Sequence, residues 1–367
     1  MRTVIETSVL RKALNTLATL NFGDSADAIY VRAIKLIASG NLLTMISLNR
    51  DMLCQISLPA KIEEQGEIII DSSQADTLLK GVKSKETTIY NGNNSLIFDC
   101  GFTKEIKIIE TGKFKVIPTF EPSTVISTAD VVEISSIFKM VQVALPLSSD
   151  IVNDDLRDCN ITIGKNLTVT ALNGYVLCQC DIGQTAENLS EASYVLNSQQ
   201  VSSLSKALGF LKGTATISIY KKENGQEYMV FKPNPLIVIA VKLGKHDYPD
   251  VKKLMGGKTA FEFTFPVDNL KQQLKGISGL GSAKNVFPAF INFEGNTMSL
   301  RIVTENETAR ISEQVTITGI PENFKIVGKV IRDAVVNAAS SLTIKVYENG
   351  KVELSSSNLL ITAVKMK

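Results

Sequence analysis

Apolar positions along this chain switch period again and again. A stretch of helical spacing, with Val9, Leu10, Ala13, Leu14 and Leu17 on one face, gives way to alternation through Leu42-Leu43-Thr44-Met45-Ile46-Ser47-Leu48. The same switch follows Ile134, Ile137, Phe138, Val141 and Leu145, and again follows Val267, Leu270, Leu274 and Ile277. Each alternating run starts at a glycine turn: Ser39-Gly40-Asn41, then Ile163-Gly164-Lys165-Asn166, then more faintly Glu294-Gly295-Asn296. These runs read as β-hairpins. A second helix then follows in each copy, near 72–83, 198–212 and 328–339, with Asp71-Ser72-Ser73 and Leu196-Asn197-Ser198 supplying N-cap chemistry. A further hairpin closes each copy at Asn91-Gly92, Asn224-Gly225 and Asn349-Gly350, a dipeptide that predicts type I′ turns.

The repeating unit is therefore helix, strands, helix, strands, three times over, with a period of about 125 residues that makes each repeat a domain rather than a solenoid turn. The expected fold class is α+β. Pro, Gly and charge interrupt the pattern near Phe120-Glu121-Pro122-Ser123 and Leu254-Met255-Gly256-Gly257-Lys258, which divides the chain into domains 1–121, 122–255 and 256–367.

Composition narrows the chemistry. With 44% hydrophobic and 21% charged residues the chain can bury cores and is not disordered. No window reaches the 18 or so continuous apolar residues of a membrane span. The acid at Glu6 and the absence of an apolar core near Met1 argue against a secretory signal, so a cytoplasmic location is expected, with no membrane partner. Five scattered cysteines (Cys54, Cys100, Cys159, Cys178, Cys180) suit a reducing compartment better than a disulfide framework.

One histidine, His246, leaves most metal and triad templates without their parts; neither a metal nor a cofactor is expected. Cys178 and Cys180 fall two apart on one strand face and read as core packing rather than as a metal or redox pair. The glycine-rich 276–284 lacks the Lys directly after its last glycine that a phosphate loop needs, and reads as a helix stop. Asp154-Asp155 and Glu223-Asn224-Gly225 read as turns. A hydrolase built on His246 with Asp247 or Asp250 would have no nucleophile motif, so no enzymatic activity is expected.

Charge is segregated although the chain is nearly neutral. The six helix spans (7–20, 72–83, 131–145, 198–212, 267–277, 328–339) hold eleven bases: Arg11, Lys12, Lys80, Lys83, Lys139, Lys206, Lys212, Lys271, Lys275, Lys329 and Arg332. They hold four acids, Asp76, Glu133, Asp268 and Asp333, which leaves the rest of the chain net acidic. On a helical wheel Arg11, Lys139 and Lys275 lie opposite the apolar stripes, away from their own cores. Ordinary solvated faces would explain any one helix; the recurrence points to a shared surface for a phosphate backbone. No aromatic side chain is expected among these bases, which disfavours sequence readout or stacking on single strands.

A triply repeated helix–sheet unit with basic outer helix faces resembles the bacterial DNA polymerase III β subunit, the sliding clamp, over the whole chain. Thr170-Ala171-Leu172-Asn173-Gly174-Tyr175-Val176-Leu177 is similar to the family's Ala-Thr-Asp-Gly-His-Arg-Leu-Ala segment. Tyr248-Pro249-Asp250-Val251-Lys252-Lys253-Leu254 is similar to its Phe-Pro-Asp-Tyr-Arg-Arg-Val segment, and Ile361-Thr362-Ala363-Val364-Lys365-Met366 takes the place of its Val-Met-Pro-Met-Arg-Leu ending. The chain departs from that pattern at Asn173, Tyr175 and Val176 and at Thr362-Ala363-Val364.

The resemblance implies a homodimeric ring of six domains whose helices line a hole around duplex DNA. It also implies an apolar pocket for short peptides of the replicative polymerase and clamp loader, formed by Leu172, Gly174, Tyr175, Val176, Leu177, Pro249, Lys253, Leu254, Ala363, Val364 and Lys365, with a shifted peptide preference. Ile106 and Ile108 against Ile277 and Leu280 are the implied dimer contacts. Simple geometry agrees: three touching domain-sized spheres leave a hole only about 5 Å wide, whereas six leave roughly 35 Å, enough for a duplex. The alternative is a monomeric three-domain interaction scaffold with no role on DNA.

Overall fold

The computed structural model describes residues 1–19, 33–72, 77–109, 120–121, 123–142, 144–145, 158–173, 176–277, 287–305, 307–357 and 359–366, with the side chains of Lys252, Leu254 and Lys275 excepted. Five α-helices lie among them: α1 (Thr7–Ala18), α2 (Val131–Val141), α3 (Ser198–Gly209), α4 (Asp268–Gly276) and α5 (Gly328–Asn337). The expected apolar stripes hold these helices down. Leu10, Ala13, Leu14 and Leu17 of α1 are buried, as are Ile134, Ile137, Phe138 and Val141 of α2 and Val267, Leu270 and Leu274 at α4. Asp130 caps α2, its carboxylate accepting from the Val132 and Glu133 N–H groups at 2.8 and 3.3 Å.

One expected helix is absent from the described part of its span. Residues 77–81 of 72–83 form turns, with Lys80 N–H donating to the Thr77 carbonyl and Val82 N–H to that of Leu79, three-residue steps instead of the four of an α-helix. Gly81, at φ +77°, takes the left-handed conformation that ends any helix there. Residues 73–76 lie outside the described residues. The last turns of 131–145 and 198–212 are also shorter than expected, and Lys212 follows α3 rather than belonging to it.

The strands pair antiparallel throughout. Among the described residues they make a thirteen-stranded sheet, from Thr124–Asp130 at one edge to Lys61–Glu64 at the other, a nine-stranded sheet from Ala192–Asn197 to Thr316–Gly319, and a four-stranded sheet from Thr308–Gln314 to Phe324–Val327. The Asn-Gly hairpins close differently from the expected type I′ turns, which need positive φ at both central residues. Only glycine turns left-handed at Gly225 (φ +83°) and Gly350 (φ +81°), each donating its N–H three residues back, to Lys222 and Tyr347. In the first repeat the left-handed residue is Asn94 (φ 66°).

The threefold repeat is visible in single hydrogen bonds. Thr7 N–H at the start of α1 donates to the Lys85 carbonyl at 2.9 Å; Val131 at α2 donates to Gly213 at 2.9 Å; Val267 before α4 donates to Ser340 at 3.0 Å. In each case the acceptor immediately precedes a strand that pairs with the strand leading into the helix: Arg2–Glu6 with Glu86–Asn91, Thr124–Asp130 with Thr214–Lys221, Thr259–Pro266 with Ser341–Tyr347.

Strand pairing also crosses from repeat to repeat. Ile237–Lys242 pairs with Met52–Pro59, and Val176–Gln184 with Leu359–Val364. Packing accordingly divides the chain into two compact units. The first comprises Met1–Ser135, Gln184–Leu189 and Gln199–Gly244; the second comprises Ser136–Gly183, Ser190–Ser198 and Lys245–Lys367. In the first unit Phe120 lies edge-on to Tyr220 and Tyr228 and packs with Ile46, Leu53, Val230 and Ala240, and Glu121 pairs with Lys232. The residues at the first expected boundary are thus anchored over the strands they join. In the second unit Phe261, Phe263 and Phe265 line one face of a single strand, and Phe293 and Phe324 meet the first two edge-on. Each such fully buried side chain contributes about 1.5–3 kcal/mol.

Candidate nucleic-acid interface and peptide pocket

In the first unit the bases fall into two groups. Lys12, Lys80, Lys83, Lys206 and Lys212 are exposed. Arg11 is not the outward charge expected from the wheel. Its guanidinium donates to the Val82 carbonyl at 2.6 Å, and its Nε is buried without a hydrogen bond. The turn at 77–82, with Leu78, Leu79 and Val82 buried, folds beside α1 and turns Arg11 into a tie between them. α2 and α3 are tied reciprocally, Ser135 Oγ donating to the Ser205 carbonyl at 2.7 Å and Ser205 Oγ to the Ser135 carbonyl at 3.0 Å.

In the second unit Lys139 is exposed on α2, whereas α4 and α5 pack side by side with much of their charge engaged. Lys271 donates to the Ala339 carbonyl at 2.8 Å. Arg332 is half-buried, with Nε lacking a hydrogen bond and a terminal nitrogen 3.4 Å from Asp333. Burial pushes the Asp333 carboxyl above its ordinary range, against the opposing pull of Lys329, Arg332 and Lys139. Lys275 lies on α4 with its side chain outside the described set.

An aromatic does stand among these bases, against expectation. Phe210 follows α3 between Lys206 and Lys212 and is 44% exposed.

The pocket segments all belong to the second unit, and two of them are adjacent strands. Val176 pairs with Ala363 and Leu177 with Thr362. Val169 through Leu172, Val176 through Cys178, and Ile361 through Ala363 are buried without alternation, so both faces of the sheet are covered at this corner. Asn173 and Val176 are bonded twice: the Asn173 side-chain oxygen accepts from Val176 N–H at 3.0 Å and its own N–H donates to the Val176 carbonyl at 3.2 Å. Gly174 and Tyr175 lie outside the described residues.

The third segment arrives through Tyr248, whose hydroxyl is buried beside the Leu172 backbone, with its ionisation pushed upward by burial and by the nearby Cys159 and Asp158. Pro249 is half-buried, Lys253 is exposed and 3.7 Å from Asp250, and Leu254 sits in a 3₁₀ turn with its side chain outside the described set. At the chain's end Val364 is 50% exposed, Lys365 lies over the Phe324 ring at 5.6 Å, and Met366 N–H donates to the Lys325 carbonyl.

His246 pairs with Asp158 at 3.7 Å, a contact that joins the 245–250 stretch to its neighbouring strand. Burial raises the Asp158 carboxyl while His246 opposes it. Beneath α2 three buried sulfurs meet, Cys178 Sγ 3.8 Å from Cys180 Sγ and Cys180 Sγ 4.0 Å from Met140 Sδ, with Cys159 close by; the contact with Cys180 and then burial drive the Cys178 thiol far upward, and burial does the same to Cys159, which suits the packing role expected of Cys178 and Cys180. Among the described residues no His, Cys, Asp and Glu group is arranged to hold a metal, and no helix is long and apolar enough to cross a membrane. Of the implied dimer contacts, Ile106 and Ile277 are buried within their own units, Ile108 is half-buried, and Leu280 lies outside the described residues.

Solved structures share this architecture from end to end. A DNA polymerase III β subunit of Thermotoga maritima superposes with a TM-score of 0.76 at 14% identity, covering 100% of this chain and 99% of that one. The DNA polymerase sliding clamp of Bacillus subtilis gives 0.77 at 14% identity, with 100% and 99% covered, and the β subunit of Pseudomonas aeruginosa 0.74 at 13%, with both chains fully covered. The fold is that of the bacterial sliding clamp. No known family profile and no curated protein matches the sequence. The sliding-clamp fold comprises three repeated domains, which is the repetition seen above in α1 through α5 and their equivalent hydrogen bonds.

Proposed function

We propose that this chain is a processivity factor: two copies close head to tail into a six-domain ring that encircles duplex DNA without reading sequence and tethers a replicative polymerase. The full-length likeness to sliding clamps carries the reading. Its three domains would be 1–121, 122–255 and 256–367. The exposed lysines Lys12, Lys80, Lys83, Lys139, Lys206 and Lys212 support it, because sliding needs many weak, interchangeable phosphate contacts. Flexible ammonium groups suit that better than bidentate guanidinium groups. Lys271, Lys275, Lys329, Arg11 and Arg332 would complete the basic wall, and of these Arg11, Lys271 and Arg332 also tie its parts together.

Holding is topological, so a modest affinity at the peptide pocket suffices, since tethering makes polymerase rebinding intramolecular. Short apolar peptides of the polymerase and of a separate, ATP-driven loader would dock at the corner formed by Leu172, Val176, Leu177, Pro249, Ala363 and Val364. Loss of the family's Asp, His and Arg at Asn173, Tyr175 and Val176 would alter which peptides fit. Ile106 and Ile108 on one copy would face Ile277 and Leu280 on the other. The ring has no chemistry of its own and works in the cytoplasm.

The experiment is retention on a circle. Protein loaded by a bacterial clamp-loader complex onto nicked circular plasmid should co-elute with it and leave when a restriction enzyme linearises the circle. Equal retention before and after cutting would mean binding by affinity alone and would overturn the ring mechanism.

A further inference from the structure

Val132 and Phe210 are two of the seven large apolar side chains that the described residues leave exposed, at 52% and 44%. Both belong to the end of the α2–α3 pair where Val131 N–H meets the Gly213 carbonyl. Phe210 is held there by a rigid frame. Phe210 N–H donates to the Ala207 carbonyl and Leu211 N–H to that of Leu208 as the last turn tightens, and Gly213, at φ +97°, reverses the chain. Gly209 abuts α2 so closely that a Cβ there would lie 3.0 Å from Ser135 Oγ. The helix stops at Gly209, and the ring that continues its apolar pattern is left at the surface.

The charges around it have one dominant sign. Lys206 lies one helical turn before Phe210 and Lys212 two residues after it, both exposed. Among the described residues of α2 and α3 themselves the acid is Glu133, which is exposed; the Asp130 carboxylate just before α2 is occupied in capping it. A rigid aromatic face flanked by ammonium groups matches an unstacked base together with its phosphates, whereas a closed duplex presents phosphates but no free base face.

We propose that Phe210, with Lys206 and Lys212, forms a binding site for single-stranded DNA, on which one base stacks while the lysines hold the adjoining phosphates. This goes beyond the ring reading, because it requires neither closure nor a loader.

The chain has no tryptophan, so Phe210→Trp creates a single fluorescent reporter at the site. Its emission should be quenched by oligothymidylate of about 16 nucleotides and much less by a blunt duplex of the same length. Phe210→Ala should weaken oligonucleotide binding about tenfold with an unchanged salt slope. The Lys206→Gln, Lys212→Gln double variant should lower the slope of log affinity against log salt by about 1.4, roughly 0.7 per lysine. Unquenched tryptophan, equal quenching by duplex, or wild-type affinity in Phe210→Ala would overturn the site. So would a concentration-dependent blue shift without DNA, which would show a second protein copy covering the ring. A chain that stays monomeric yet quenches keeps this site and loses the ring; a ring with unquenched tryptophan does the reverse.

Discussion

Val176 and Ala363, far apart in sequence, are directly paired residues of adjacent antiparallel strands, and both are buried. That pairing welds the middle repeat's hairpin to the chain's last strand. It also brings together two of the three segments assigned to the peptide pocket. The neighbouring Leu177, buried opposite Thr362, carries packing on the same seam. Leu177→Ala should therefore cost about 2–5 kcal/mol of unfolding free energy, read from urea denaturation. A loss under about 0.5 kcal/mol would mean the seam is not packed as described.

Arg11 tests whether a basic residue on α1 serves the wall or the fold. Its hydrogen bond to the Val82 carbonyl is charge-assisted and partly buried, so Arg11→Ala should destabilise by about 1.5–3 kcal/mol. Exposed Lys12→Ala on the same helix should stay within about 0.5 kcal/mol. Equal, negligible effects in thermal melts would return Arg11 to the set of free surface charges.

Asp333 gives a pH signature. Its carboxyl is raised in the folded state chiefly by burial, so the native protein resists its ionisation more than the unfolded chain does. The resulting penalty is absent below the ordinary carboxylate range, grows as pH rises through it, and is complete above the raised value. Asp333→Asn should accordingly raise the melting temperature at pH 7, with the gain fading as pH falls towards 4. A loss at neutral pH would show that the pairing with Lys329, Arg332 and Lys139 outweighs burial, and a gain that persists in acid would show that ionisation of Asp333 is not its source.

Lys139→Glu should sharply reduce retention on circular DNA, with a modest fall in melting temperature at neutral pH because the pull of Lys139 on the buried Asp333 carboxyl is lost. Retention assays at two salt concentrations check this. Unchanged retention would remove Lys139 from the DNA-facing wall.

The helices were legible because five of them carry apolar stripes of helical period that end up buried, Leu10, Leu14 and Leu17 being the clearest. The span 72–83 misled because its buried Leu78, Leu79 and Val82 satisfy the same pattern, whereas Gly81 takes a left-handed conformation that periodicity does not register. Hairpins were visible through their glycines, but turn type depends on the φ of the preceding asparagine, and the strands flanking Gly225 and Gly350 settled for a left-handed glycine alone.

Which strands join across repeats was not legible. Many alternating strands could pair, and the choice of Met52–Pro59 for Ile237–Lys242 is made by tertiary packing. A helical wheel likewise places Arg11 relative to its own stripe but is blind to the turn folded over it. Phe210 was hidden for the opposite reason: it continues a core pattern, and only the stop at Gly209 leaves it outside.

Small-angle X-ray scattering over a concentration series tests the ring most directly, because mass and the pair-distance distribution report stoichiometry and hollowness together. The expected result is a particle of twice the 39.9 kDa chain mass with a central void wide enough for a duplex. A solid 39.9 kDa particle at every concentration would contradict it and remove the hole on which the sliding mechanism depends.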